Sequence, residues 1–173
     1  MATLPNPRTW VVGELLTAAK LNTDVRDGLN FLLRPPLFHA KQFGSQSIPN
    51  ATFTDITFGV GSEEIDSDGG HVDSPNPERY VVQTAGWYHV EGIVGYQFNA
   101  TGSRYAVLRT FGVDKFQVAV RPPADTETYV PIHGYFPCAV NDQLTISAYQ
   151  TSGGALSTSQ LRSSFSVQWE YKT

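Results

Sequence analysis

Residues 164–171, SFSVQWEY, alternate without a break. Phe165, Val167, Trp169 and Tyr171 fall on one side, and Ser164, Ser166, Gln168 and Glu170 on the other. A period of two requires a strand with one buried face, because successive strand side chains point to opposite faces. The same signal recurs upstream, so strands are expected at 37–43, 53–58, 79–83, 87–98, 105–111, 116–121, 127–136 and 143–150. In the 87–98 run Tyr88, Val90, Gly92, Val94, Tyr96 and Phe98 share a face, opposite Trp87, His89, Glu91 and Gln97. Turn residues separate the runs, including Pro122-Pro123, Asn141-Asp142 and Gly153-Gly154. A Gly-, Asp- and Ser-rich stretch, 59–77, is expected to be a loop. Many short strands at this spacing mean a sandwich or jelly roll, with no sign of βαβ alternation.

The composition agrees. Only 16% of residues are charged, while the chain holds 15 Gly, 8 Tyr and 10 Phe, as suits a turn-rich β fold. A formal net charge of −4 argues against nucleic-acid binding, which favours a basic patch. No run of about 18 apolar residues exists to insert into a membrane. Residues 1–7 lack a basic region followed by an apolar core, so no signal peptide is expected. The one cysteine, Cys138, forms no internal disulfide and is expected to be a small buried hydrophobe.

One helix is expected, over residues 14–33, with Glu14 or Thr17 near its start. Leu21, Val25, Leu29 and Leu32 form an apolar stripe along it, and Pro35-Pro36 end it. A lone helix of this length is marginal in water, so it must pack on its own β domain, on copies of itself or on another protein. The chain therefore divides into a leader and helix at 1–36 and a β domain at 37–173.

Three stretches carry a resemblance for the β domain: GWYHVEGIV at 86–94, YQFNATGSR leading into YAVLRTFG at 96–112, and VNDQLTISAYQTSG at 140–153. Their order, closed by the 164–171 strand, resembles the tumour-necrosis-factor-like jelly roll as found in the globular head of the first complement component. Asn141-Asp142 stands where that family usually has Gly-Asp; asparagine tolerates the left-handed angles such a turn needs. The resemblance implies an all-β jelly-roll sandwich that assembles as a homotrimer. The residues Phe165, Val167, Trp169, Tyr171, Tyr88, Val90 and Val94 would then divide between the domain core and the trimer axis. The leader, RTWVVGELLTAAKLNTDVRDGLNFL at 8–32, resembles the start of many virion proteins from tailed phages of actinobacteria. Both its TW-x-x-GE-x-x-TA-x-x-LN and VRD-x-L-x-FL halves are present. This implies a phage structural protein at the particle surface, anchored to other virion proteins through Trp10, Leu21, Val25, Leu29 and Leu32.

Little in the sequence points to catalysis. His39, His71, His89 and His133 are isolated, and no zinc-protease, nucleophile-elbow or phosphate-loop motif occurs. Asn50-Ala-Thr52 and Asn99-Ala-Thr101 read as turns. Glu63, Glu64, Asp66, Asp68 and Asp73 offer hard oxygen ligands of the kind calcium prefers, but their spacing fits no EF-hand, and an acidic loop is ordinarily solvated. Neither a metal nor a cofactor is expected. Trp87 and the 149–156 loop are candidates for contact with sugars or proteins. The expected function is a non-enzymatic trimeric virion component, such as a capsid decoration, head fibre or compact tail tip. A tail-fibre receptor-binding protein that contacts host glycans is the alternative. A glycan depolymerase would want paired carboxylates, and neither Glu91 nor Glu170 has an evident partner.

Overall fold

The structure is a computed structural model that describes residues 8–172. Thr17 caps the leader helix by accepting from the Lys20 N–H. The helix then runs through α1 (Ala18–Leu21), a π turn (Asn22–Arg26) and α2 (Asp27–Leu33). In the π turn the Asp27 N–H donates to the Asn22 carbonyl, five residues back. This widening rotates the later part of the apolar stripe around the rod, because a π turn holds more residues than an α turn. The expected start at Glu14 gives way because its carboxylate is bound by Arg8 and by Lys20, and its N–H bonds back to Val11.

Twelve strands follow: β1 (Leu37–Lys41), β2 (Ser47–Ile48), β3 (Thr54–Asp55), β4 (Glu63–Asp66), β5 (Arg79–Val81), β6 (Gly86–Tyr96), β7 (Arg104–Thr110), β8 (Val113–Val120), β9 (Thr128–Cys138), β10 (Gln143–Gln150), β11 (Leu156–Ser157) and β12 (Ser164–Tyr171). One sheet has the order β4-β1-β12-β6-β9 and the other β3-β10-β7-β8, with β5 also on β10. All their pairings are antiparallel. β2 and β11 form a small separate ladder.

The core lies between the sheets. From the first come Phe38, Tyr88, Val90, Val94, Ile132, Phe165 and Val167; from the second, Tyr80, Ala106, Leu108, Leu144 and Ile146. Each fully covered large side chain contributes roughly 1.5–3 kcal/mol. The packing leaves no room for a side chain at Gly92: a Cβ there would stand 2.5 Å from the Ser164 carbonyl oxygen and 2.6 Å from Ile146 Cδ1.

Two expectations need correction. Phe98 is exposed, because β6 ends at Tyr96 and the chain leaves the sheet before Phe98 reaches the core side. The 59–77 stretch is not all loop: β4 adds to the edge of the first sheet by pairing with β1, although EEID shows no apolar alternation.

Candidate functional site

Each sheet has a face turned away from the core, and the register determines what is on it. Across the first sheet, His39 on β1 stands opposite Ser166 on β12, Ser166 opposite Glu91 on β6, and Glu91 opposite His133 on β9. Aromatic pairs flank this polar row. His89 stacks on Tyr135 with ring centroids 4.5 Å apart, and Trp87 stacks on Tyr171 at 5.9 Å. Ile93, Tyr129, Tyr135 and Tyr171 are exposed on this face. A cavity of about 230 Å³ sits over the polar row. A wider groove of about 520 Å³ adjoins it, with Ile93, Tyr129 and Leu161 as apolar walls and Lys41 and Arg162 as cations.

One chain of contacts there has the outline of a nucleophile, base and acid. His39 Nδ1 lies 2.6 Å from Ser166 Oγ, and His39 Nε2 lies 3.4 Å from a Glu64 carboxylate oxygen. Acyl transfer also needs donors aimed at the developing oxyanion. Ser166 sits mid-strand with β1 on one side and β6 on the other, so the ladder takes up the neighbouring backbone groups. Lys41 bonds Glu64 at 2.7 Å, which makes the chain a cross-strand charge network. In register Glu91 faces Ser166 and His133, not a second carboxylate.

The acidic residues of the 63–68 segment bond to protein groups nearby. Asp66 accepts from the N–H groups of Asp68, Gly69, Gly70 and His71, at 2.9–3.3 Å. Asp68 accepts the Tyr80 hydroxyl at 2.9 Å. Burial pushes the Asp68 carboxyl up to about 6; the Tyr80 bond opposes the shift and the Asp66 charge adds to it. Among the described residues no group of three or more His, Cys, Asp or Glu could hold a metal ion. His71 is buried, stacked on Phe38 at 4.9 Å. Cys138 is buried too, and burial pushes its thiol up to about 12.

No family profile matches the chain. Over 151 residues it is 26% identical to an uncharacterised protein, L688, of Acanthamoeba polyphaga mimivirus, which spans 84% of this chain and 62% of that protein's length. Among solved structures it superposes on murine APRIL with a TM-score of 0.60 and 14% identity, covering 78% of this chain and 98% of that one. It superposes on the globular domain of the zebrafish complement 1qA protein with a TM-score of 0.60 and 10% identity, covering 80% and 99%. The fold is that of a tumour-necrosis-factor-like jelly roll.

The jelly roll distributes the sequence-derived candidates as follows. Tyr88, Val90, Val94, Phe165 and Val167 are buried between the sheets of one chain. Trp169 is half-buried against that core, and its indole N–H donates to the Ala85 carbonyl at 3.2 Å. Tyr171 shares the apolar side of its strand by count, but the register shifts between Trp169 and Tyr171, which sets Tyr171 against Trp87 on the outward face. Trp10, Leu21, Val25, Leu29 and Leu32 are all exposed, the four aliphatics by 44–68%. What holds the leader helix is Phe31, which is 1% exposed and sits off the stripe. Tyr149 packs with Phe53 and Tyr105 on the outward face of the second sheet.

Sequence reasoning missed Arg104, which is fully buried in the jelly roll. Its guanidinium donates to the carbonyls of Asn99, Thr101 and Ser103 at 2.6–3.1 Å and so pins the turn between β6 and β7. Gly102 completes that turn at φ +79°, where a Cβ would stand 1.9 Å from the Thr151 carbonyl oxygen.

Proposed function

We propose that this chain is a non-enzymatic structural protein of a phage particle, a homotrimer anchored by its leader helix with the jelly roll facing outward. In that position it decorates the particle or recognises the host surface. The observation that carries the reading is the outward face of the first sheet, where Ile93, Tyr129, Tyr135 and Tyr171 are exposed and Ile93 and Tyr129 wall a cavity and a groove. Large apolar side chains exposed together on one face, around a polar row, mark an interaction site.

A second apolar patch lies on the β8 edge, where Phe111, Val113 and Phe116 are exposed. Two different patches on one chain suit a heterologous contact, which closes into a ring when the rotation between copies allows it. Three such contacts give a trimer, and obligate interfaces commonly bury about 2,000 Å² or more. The leader helix supplies the attachment. Its stripe stays uncovered on the chain while Phe31 holds the helix to the head. The leader motif and the viral relative both favour a virus particle as the setting.

Two measurements test this reading. Light scattering on the purified protein is expected to give three chain masses; a monomer at micromolar concentration overturns the trimer. Mass spectrometry of purified virions is expected to find the protein, with high copy number meaning decoration and low copy number a tail structure. Its absence from the particle overturns the virion role.

A further inference from the structure

We propose that the outward face of the second sheet is a binding platform for an uncharged saccharide, an inference that rests on the host-surface recognition reading above. The register puts Asp55 on β3 opposite Ser147 on β10, and Arg109 on β7 between Thr145 on β10 and Asp114 on β8. Beside these rows Phe53 packs on Tyr149 with ring centroids 4.7 Å apart, and Tyr149 meets Tyr105 edge-on at 5.1 Å.

The platform is fixed before any ligand arrives. The Arg109 guanidinium lies 4.7 Å over the Phe53 ring, donates through Nε to Asp114 at 2.7 Å and reaches to 3.9 Å from Asp55. Ser147 donates its hydroxyl to the same Asp55 oxygen. Little side-chain freedom is therefore left to lose on binding, which is the condition for useful affinity from a small contact.

The chemistry fits a sugar. Phe53 is 40% exposed, and the part of its ring that Arg109 and Tyr149 leave uncovered is apolar ground for the C–H groups of a pyranose. Asp55 and Asp114 remain 35% and 42% exposed at the side chain, so each keeps acceptor capacity for hydroxyl donors at the ring's edge. Arg109 and Arg79 balance Asp55 and Asp114, so the patch has no net charge and complements a neutral ligand. A protein partner would favour a centre depleted of charge, and a nucleic acid would favour excess positive charge. In the proposed trimer the β8 edge of this sheet meets the next subunit, while the outward face around Phe53 and Asp55, at the β3 end of the sheet, stays open. Three platforms would then engage a repeating polymer together and gain avidity without further contacts.

The test uses the full-length protein and polysaccharide extracted from host cells, separated by anion exchange into neutral and acidic fractions. Wild-type protein is expected to bind the neutral fraction. Phe53→Ala and Asp114→Asn are each expected to weaken binding by at least about tenfold while melting like wild type. Binding to the acidic fraction alone, or equal binding by wild type and both variants, overturns the platform. Adsorption to whole cells separates the two ideas. If wild type and Phe53→Ala adsorb equally, the platform falls and surface recognition stands; if wild type neither adsorbs nor binds either fraction, both fall.

Discussion

Phe31 meets Trp169 edge-on, with ring centroids 4.8 Å apart and planes at 89°. Among the described residues this phenylalanine is the one buried side chain of the leader helix, so helix and head are joined at essentially one point. Phe31→Ala is expected to remove about 3 kcal/mol of docking, yet leave the melting of the head nearly unchanged, because the contact lies at the sandwich's margin. Limited trypsin digestion checks this: cleavage after Arg26 becomes fast in the variant while the β domain persists.

Core and interface are expected to separate cleanly by mutation. Phe165→Ala empties a site between the sheets and is expected to lose about 3–5 kcal/mol, lowering the melting temperature by roughly 6–20 °C. Ile93→Asp places a charge on the outward face of the first sheet and is expected to leave a folded monomer. Calorimetry and light scattering on the two variants check the split. A stable trimer from Ile93→Asp means that the inter-subunit face lies elsewhere.

Arg104, itself fully buried, donates to three carbonyls of the turn between β6 and β7. Arg104→Met keeps the volume and removes the donors, so the expected loss is at least about 3 kcal/mol, given the strength of charged hydrogen bonds. Denaturant titration measures it, and amide exchange is expected to speed up first in the turn that carries Asn99 and Gly102.

Asp68 gives the head a pH dependence of definite sign. Its carboxyl is pushed from the ordinary 3.8 up to about 6 in the folded chain, which therefore holds that proton more tightly than the unfolded chain does. The stability this group contributes is full below its unfolded pKa and is lost as the pH rises through about 6. Asp68→Asn keeps an acceptor for the Tyr80 hydroxyl without the buried charge. Its melting temperature relative to wild type is expected to rise between about pH 4 and about pH 8; a constant difference across that range contradicts the assignment.

β12 was legible because one-sided burial enforces period two there, and the predicted bounds of β10 and β12 match those observed. β4 was illegible because an edge strand bearing Glu63, Glu64 and a partly exposed Ile65 has no core side to mark it. The helix stripe was legible as a pattern, but not as to what would cover it. The head takes the lone Phe31 in its place, since an edge-on site beside Trp169 accepts one ring. The outward faces escaped the sequence because they are products of register: His39, Ser166, Glu91 and His133 are far apart in the chain and meet only across four strands. The burial of Arg104 was illegible because its partners are backbone carbonyls, which carry no sequence signature.

β12 lies in the middle of the first sheet, between β1 and β6. On the ribosome this sheet lacks its central strand until residues 164–171 have emerged, so the head cannot close before then. The leader helix is made before the strand that carries its docking partner Trp169. Throughout that interval the stripe of Leu21, Val25, Leu29 and Leu32 is free to meet the same stripe on a neighbouring nascent chain. Sister copies translated from one message would thus be gathered by their helices before any of their heads has formed.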